Sequence, residues 1–598
     1  MATDERRRDG EFPAKSIVLA WAAVCLILML TGLTRVIGGR FPDPDDVLRL
    51  VQVRDLIGGQ GWFDLSQYRI SPPHGTPMHW SRLVDLPLVV VIAVLSPLLG
   101  QAGAEMVALI AVPFLTLAVV AAAIGRLAWR LHGARAAIFS VLACGFLPLL
   151  LFQFQPMRID HHGWQVASVA VALWAVGRRN PRRSGWFAGL AMAFGASISL
   201  EILPLAAAFA LVLWLRWLRD DREKDWLVFY MAALALGLVL LYLGTHGLST
   251  TAWCDAVSPA HLVFFAVAAC GTWAIARASR LRGTGLAILF AGIGALAAGA
   301  YALVSPQCLA TPFATLDPVV DRYWYRLVLE GQPVWKQDAA IWFPALVQLI
   351  AAIMTVLVLR ARAMDWTRKW WGEYLLLLLC AAALGVVVTR SLAFASVLAA
   401  IPLGWLASSL LLRLRQRSAP FSVLGIFLAI LVLLAPAGLV SAVRLLFPAQ
   451  AVADAVTPTG QTSVNLQNVG AGACDIYGNA TLLDGLEPGT IFAPLDIGPA
   501  ILLETRHSVV ATGHHRADDA IGDVIAAFLS DEQGARRIMA QREADYLVLC
   551  TDMAEARIYA QEAPGGFAAR LMADDAPAWL ERVDLGGPRE FAVYRIGR

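Results

Sequence analysis

Long uninterrupted apolar blocks are the feature of this sequence that most limits what it can fold into. A bilayer core is about 30 Å thick, and every backbone polar group inside it has to be hydrogen-bonded within a helix or a closed barrel. Hydrophobic residues make up 58% of the 598 residues and charged residues only 16%, whereas soluble domains carry roughly 25% charged residues. The sequence therefore predicts a polytopic α-helical membrane protein.

The apolar blocks give thirteen predicted spans, near residues 16–38, 104–125, 136–153, 163–177, 185–198, 202–218, 226–245, 259–276, 284–304, 340–360, 373–389, 392–413 and 420–445. Residues 1–15 are polar and no small-residue cleavage site follows them, so we expect an uncleaved first span. The stretch 86–99 is short and contains Pro97, which favours a helix lying on the membrane surface.

Clusters of Lys and Arg give the predicted orientation. They occur at 6–8, 126–135, 178–183, 216–224, 277–282, 360–369 and 413–417. Every second loop is then basic, as the positive-inside rule requires, with the N-terminus in the cytoplasm. A full crossing at 86–99 would instead put the cluster 126–135 outside. Because the bases separate spans and do not share one face, nucleic acid is not an expected partner.

Two domains follow from this reading. Residues 1–445 form the membrane domain, with outer loops at 39–103 and 305–339, and residues 446–598 form a domain on the side opposite the N-terminus. In that tail, TIFAPLDIGPAILLE, HSVVATGHH and ADYLVLC resemble short buried strands, whereas DDAIGDVIAAFLS and EQGARRIMAQREA have helical patterns. This alternation predicts a small α/β domain.

Four of the eight cysteines, Cys254, Cys308, Cys474 and Cys550, fall in the predicted outer segments. A disulfide is possible there, but we expect four dispersed thiols in loops to stay unpaired.

Acidic side chains at the outer ends of spans are candidates for function, because a carboxylate beside a membrane is costly unless it binds a cation or a base. Asp43 and Asp46 follow the first span, Asp160 and His162 separate the third span from the fourth, and Glu330 lies in the outer loop 305–339. Together such groups could bind Mg²⁺ or Mn²⁺, neutralise a phosphate leaving group and provide a base. The simpler interpretations are helix-capping turns for the Asp residues, a polar loop cap at 160–162 and a solvated Glu330.

The order of these segments resembles the catalytic subunit of oligosaccharyltransferases and, more broadly, GT-C glycosyltransferases that use polyprenyl-phosphate sugar donors. FPDPDDVLR resembles the motif of the family's first outer loop, which implies a catalytic, metal-binding role for Asp43, with Asp46 as the nearest alternative. QPMRIDHHGWQ resembles the family's Asp-x-Glu motif and implies metal-ligand roles for Asp160 and His162, with His in place of Glu. LVLEGQP implies a metal-linked or acceptor-activating role for Glu330.

Three further segments extend the resemblance. WFDLSQYRISPPHGTPMHW and the helix 86–99 resemble the rest of the first outer loop. VVVTRSLAF resembles the segment whose Arg contacts the donor phosphate, so Arg390 is the candidate for that contact, although an interfacial Arg that snorkels is the simpler interpretation. PLDIGP resembles the family's acceptor-reading Trp-Trp-Asp-Tyr-Gly motif only at Asp496 and Gly498, so we expect an acceptor other than a protein asparagine.

The resemblance implies a metal-dependent glycosyltransferase of the bacterial inner membrane. It would move a sugar or oligosaccharide from a polyprenyl-phosphate or polyprenyl-diphosphate donor to a periplasmic glycan, lipid or protein, with the C-terminal domain in the periplasm. One alternative is a transporter or flippase for lipid-linked sugars, which predicts charged pairs at mid-membrane and a repeat between halves. Few mid-span charges and no repeat are visible. The other alternative is a non-catalytic membrane scaffold, which predicts no metal site.

Overall fold

The computed structural model describes residues 11–416 except 252, 279, 280, 311, 312 and 315, a few residues between 423 and 436, and residues 474–597. Most of the predicted span 420–445 and the predicted domain boundary at 445 and 446 lie outside these residues. The chain divides into two compact units. A helical unit comprises Met1–Thr34, Ser81–Pro312 and Leu329–Val452, and a mixed unit comprises Arg35–Trp80, Phe313–Val328 and Ala453–Arg598.

Apolar helices build the helical unit. They are Ala14–Ile37, Arg82–His132, Ala134–Cys144, Pro148–Phe152, His162–Val176, Pro181–Ile198, Leu203–Arg219, Lys224–His246, Pro259–Ala278, Thr284–Val304, Ala339–Arg362, Asp365–Val387 and Leu392–Gln416. Among the described residues, nine helical segments are long and apolar enough to cross a membrane. The predicted multi-pass α-helical membrane protein is therefore confirmed.

The first twelve predicted spans all fall on helices, with two differences of detail. The stretch 86–99 and the span 104–125 belong to Arg82–His132, which is interrupted at Gly100 by a φ of +71° that favours glycine. The predicted span 136–153 is two helices, because Leu147 is extended and Pro148 starts a new helix at a position where its missing N–H costs nothing.

Two glycines four residues apart permit close packing between the helices Pro181–Ile198 and Lys224–His246. Gly185 and Gly189 face the backbone of the helix Lys224–His246, and a Cβ added to Gly189 would lie 2.3 Å from the carbonyl oxygen of Tyr230. Small residues at this spacing let membrane helices approach closely and gain van der Waals contact. The glycines therefore set the distance between these two helices.

We expect Gly189→Ala to lower the free energy of unfolding by about 1–3 kcal/mol, because the added methyl group meets backbone that cannot rotate away. Gly292→Ala is the matched control, since a Cβ on this exposed helical glycine meets no atom within 4 Å. Thermal unfolding of both variants in detergent measures the difference. Equal unfolding temperatures would contradict the packing argument.

The core of the mixed unit is a five-stranded sheet. Its order is Ser508–Val509, Thr490–Phe492, Tyr546–Cys550, Phe591–Ile596 and Leu580–Arg582. The first three strands are parallel to one another. The strand Phe591–Ile596 pairs antiparallel with both of its neighbours, Tyr546–Cys550 and Leu580–Arg582. Helices Asp518–Leu529 and Glu532–Gln541 confirm the predicted helical segments. The second half of TIFAPLDIGPAILLE is the helix Gly498–Glu504 rather than strand, because Pro499 occupies its first turn.

The first outer loop extends this sheet. Ser66–Gln67 and Thr76–Pro77 pair as a short antiparallel hairpin. Beside it, Ile70 forms a parallel bridge with Val509, where Ser71 N donates to Val509 O over 2.9 Å. Arg69 donates to the carbonyls of Leu502 and Thr505. Residues 39–80 of the first outer loop and the tail are therefore parts of one folded unit.

The four outer cysteines form two disulfides, Cys254–Cys308 in the helical unit and Cys474–Cys550 in the mixed unit. The expectation that these thiols stay unpaired was wrong. Sequence separations of 54 and 76 residues gave no pairing signal, because the fold decides which cysteines become neighbours.

Candidate functional site

Two neighbouring sequence-predicted residues lie in direct contact in the helical unit. Asp160 precedes the helix His162–Val176, and its Oδ1 accepts the backbone N–H of His162 over 3.0 Å. Its Oδ2 lies 2.6 Å from Nδ1 of His162 and 2.7 Å from Nη2 of Arg158. The carboxylate thus fixes the imidazole ring so that Nε2 points away from it.

Asp160 is ionised in this setting. Burial alone would raise its pKa, but the Arg158 guanidinium and the imidazoles of His162 and His161 bring the pKa well below its usual value. The stacked rings of His161 and His162 lie 4.1 Å apart. A buried carboxylate held anionic between cationic or polar groups can orient a metal-binding histidine through its second nitrogen.

A carboxylate without a predicted role completes this cluster. Nε2 of His162 lies 3.6 Å from Oε2 of Glu201, which sits in the short 3-10 helix Leu200–Ile202. Both atoms are buried, and neither makes a hydrogen bond within the described part of the chain. An imidazole nitrogen and a carboxylate oxygen in this arrangement are ligands that suit a divalent transition-metal ion such as Mn²⁺.

Glu201 also connects this cluster to Arg390. Oε1 of Glu201 accepts from Nη2 of Arg390, while Nη1 of Arg390 is 3.0 Å from Oε1 of Glu330. Arg390 lies in the 3-10 turn Thr389–Ser391 between two long helices. Nearby, Thr389 donates its N–H and its hydroxyl to the carbonyl oxygen of Gln332. This contact holds the segment of Glu330 against the turn of Arg390.

Burial decreases along this series. The side chains of Asp160 and Arg158 are almost fully buried, whereas those of Glu201, Arg390 and Glu330 are 22%, 26% and 33% exposed. The series therefore leads from a buried histidine to an arginine that an anion in solvent or at a lipid surface can reach.

The other predicted residues, Asp43, Asp46 and Asp496, come together in the mixed unit. Asp43 caps the helix Pro44–Ile57, where its Oδ1 accepts the N–H of Asp45 over 2.9 Å. Asp46 in the first turn is fully buried. Burial first, and then the carboxylates of Asp46, Asp43 and Asp496, raise the pKa of Tyr477. The phenol therefore stays protonated beside them.

Asp496 is held next to a second carboxylate. Glu555 accepts the backbone N–H groups of Leu495 and Asp496 over 2.8 and 3.0 Å and the hydroxyl of Tyr559 over 2.7 Å. Burial, the charge of Glu555 and that of Asp43 raise the pKa of Asp496 to about 8. A carboxyl group that carries a proton near neutral pH can donate a hydrogen bond.

Sequence reasoning missed Glu201, Tyr477 and Glu555 as members of these clusters. Glu201 stands at the junction of two apolar spans in SLEILP, so the expectation that carboxylates at span ends are functional could have found it. Tyr477 and Glu555 gave no comparable signal, because each lies in a polar stretch of the tail where such residues are common.

Solved structures with a similar fold include oligosaccharyltransferases from Archaeoglobus fulgidus. No family model and no curated protein matches the sequence. The oligosaccharyltransferase AglB from Archaeoglobus fulgidus, solved with an inhibitory peptide and a dolichol-phosphate, is 12% identical, covers 98% of this chain and 77% of its own, and has a TM-score of 0.66. The apo form of the Archaeoglobus fulgidus oligosaccharyltransferase is 14% identical over 97% and 74%, with a TM-score of 0.65. Its complex with Zn and sulfate is 13% identical over 97% and 73%, with a TM-score of 0.58.

The chain has the GT-C fold. The fold class implied by the sequence resemblance is thus confirmed across nearly the whole chain. At 12–14% identity the likeness concerns the fold, so the chemistry has to be argued from this chain's own side chains.

The raised pKa of Asp496 predicts a pH dependence of stability. The native state keeps a proton on this group at pH values between the ordinary 3.8 and about 8, whereas the unfolded chain has lost it. Unfolding therefore becomes easier as the pH rises through this range, by at most about 1.4 kcal/mol per pH unit. Asp496→Asn removes the titration, so the stability of the variant relative to wild type should increase towards pH 8.

Thermal unfolding in detergent between pH 5 and 9, with EDTA present, measures this difference. Asp484→Asn is the control, because Asp484 is exposed. A difference between Asp496→Asn and wild type that stays constant with pH would contradict the assignment.

Proposed function

We propose that the protein is an integral membrane glycosyltransferase that moves a sugar or oligosaccharide from a polyprenyl-phosphate or polyprenyl-diphosphate donor to an acceptor outside the cytoplasm. The observation that carries this proposal is the pair of Nε2 of His162 and Oε2 of Glu201, which face each other at 3.6 Å beside Arg390. His162 and Glu201 suit a cation, and the neighbouring Arg390 suits a phosphate.

His162 and Glu201 would hold the divalent cation, Mg²⁺ or Mn²⁺, with Asp160 as orienting partner or further ligand. When bound, the cation supplies positive charge that stabilises a phosphate leaving group. The carboxylate of Asp160 lies against Nδ1 of His162, so Nε2 is the ring nitrogen that faces Glu201.

Arg390 would bind the donor phosphate. Its guanidinium already spans two carboxylates, Glu201 and Glu330, which hold the side chain extended and ready for a bidentate contact with phosphate oxygens. A phosphate that arrives would replace one carboxylate, and Glu330 is the more exposed of the two. Glu330 is then released to assist the acceptor.

Asp43, with Asp46 as the alternative, would serve as catalytic carboxylate and metal ligand in the first outer loop. Asp496 would bind the acceptor. Because its pKa is raised to about 8, it can donate a hydrogen bond to a hydroxyl group, which fits a glycan or lipid acceptor. The missing Trp and Tyr of the acceptor-reading motif argue against a protein asparagine.

The two disulfides support a site outside the cytoplasm. Cys254–Cys308 and Cys474–Cys550 join segments on the predicted outer side, and disulfides persist in the periplasm rather than in the reducing cytoplasm. The free cysteines Cys25, Cys144, Cys270 and Cys380 all fall in predicted spans. We therefore infer a bacterial inner-membrane protein with a cytoplasmic N-terminus and a periplasmic C-terminal domain.

Arg390→Lys should lower transfer by at least about 10-fold, because lysine keeps the charge but loses the planar fork that binds phosphate. Arg326→Lys is the matched control, since Arg326 is 67% exposed in an ion pair with Asp321. Glycan transfer from lipid-linked donor in isolated membranes measures the effect. Equal loss, or no loss, in both variants would contradict the role of Arg390.

His162→Asn and Glu201→Gln should each lower transfer by about 100-fold and weaken activation by added Mn²⁺, because each removes a proposed ligand. Treatment with EDTA should abolish wild-type transfer, and Mn²⁺ or Mg²⁺ should restore it. Glu581→Gln is the control at an exposed position. Asp43→Ala and Asp160→Ala should also be inactive, and wild-type turnover by both would remove this mechanism.

Mass spectrometry of envelope glycans and lipid-linked intermediates in a deletion strain, combined with labelling of the lipid-linked sugar by a membrane-impermeant reagent, distinguishes the transferase from a flippase. Loss of the transferase leaves the donor accumulated on the periplasmic face and one glycan unmodified. Loss of a flippase leaves the donor on the cytoplasmic face, and this outcome would overturn the proposal.

A further inference from the structure

Three histidines converge in the mixed unit, apart from the carboxylate clusters. One ring nitrogen from each of His79, His514 and His515 lies within 4.8 Å of the other two. Nδ1 of His79 is 2.9 Å from Nε2 of His514. The three ring centroids are 4.8–5.1 Å apart.

The backbone fixes these rings from two distant parts of the sequence. His79 follows the hairpin strand Thr76–Pro77, and His515 begins the 3-10 turn that leads into the helix Asp518–Leu529. Next to the rings, Nη1 of Arg516 donates to the carbonyl oxygen of Met78 over 3.1 Å. The triad therefore lies where the first outer loop is fastened to the tail.

The surroundings of the rings are aromatic. His514 is 2% exposed, and the ring of Trp80 meets it edge-on at 5.6 Å. Phe313 meets His515 at 5.2 Å in the same edge-on geometry. His79 and His515 are partly exposed, so an ion in solvent can reach the rings while the aromatic side chains restrict their rotation.

We propose that His79, His514 and His515 form a binding site for one divalent transition-metal ion such as Zn²⁺. Imidazole nitrogens suit Zn²⁺, whereas Mg²⁺ requires oxygen ligands. In a tetrahedral zinc site with bonds of about 2.0–2.1 Å, ligand nitrogens lie about 3.3 Å apart. The His79–His514 separation of 2.9 Å needs only a small opening to reach this value.

Zinc at this site would cross-link the hairpin of the first outer loop to the tail. The hydrogen bond between His79 and His514 gives way when both nitrogens direct lone pairs to the ion, and water fills the fourth position. The proposal is independent of the glycosyltransferase chemistry, because it needs neither donor nor acceptor.

The test uses full-length protein in detergent, stripped of metal with EDTA and titrated with Zn²⁺ in excess Mg²⁺. We expect one tight zinc equivalent and an increase in unfolding temperature on zinc addition. His79→Asn and His514→Asn should weaken zinc binding by at least about 100-fold and remove the increase. His74→Asn, at an exposed position of the same hairpin, should behave as wild type.

Co²⁺ provides a measurement that needs no variant. Its visible absorption should show the intense bands of a tetrahedral, nitrogen-ligated ion that Zn²⁺ displaces. Wild-type protein without such bands, or folded His79→Asn and His514→Asn variants that bind zinc as tightly as wild type, would overturn the proposal.

Discussion

The contact between Glu201 and Arg390 is the interaction on which the candidate site in the helical unit depends. Charged groups beside a bilayer are costly when isolated. Here Glu201 faces His162 on one side and Arg390 on the other, so one carboxylate connects an imidazole fixed by Asp160 to a guanidinium shared with Glu330. Removal of Glu201 would leave His162 and Arg390 each without this carboxylate neighbour.

The mixed unit contains a second group of interacting acidic side chains. The charges of Asp46, Asp43 and Asp496 act on Tyr477, and Asp496 adjoins Glu555. Burial and the charge of Glu555 raise the pKa of Asp496, so a proton on this group relieves the repulsion between the two carboxyl groups.

The sequence anticipated the local parts of both clusters. Asp160 and His162 had to be neighbours because they are two residues apart at the start of a helix. Asp43 was predicted as a possible helix cap, and it is one. Contacts between distant segments could not be predicted in this way. Glu201 was not predicted as part of the site, and Arg390 was assigned to phosphate without its two carboxylate partners. The disulfides are a similar case, because the cysteines of each pair are 54 and 76 residues apart.

The sequence by itself determined that this chain is a many-pass helical membrane protein with an α/β tail. The length of the apolar segments and the alternation of strand and helix patterns are local properties, so they can be read without knowing the tertiary contacts. The positions of the helices followed for the same reason. Only the tertiary structure decided that Glu201 meets His162 and Arg390, that the first outer loop extends the sheet of the tail, and that His79 meets His514 and His515. Such contacts depend on packing between segments tens to hundreds of residues apart, for which the spacing along one sequence contains no physical signal.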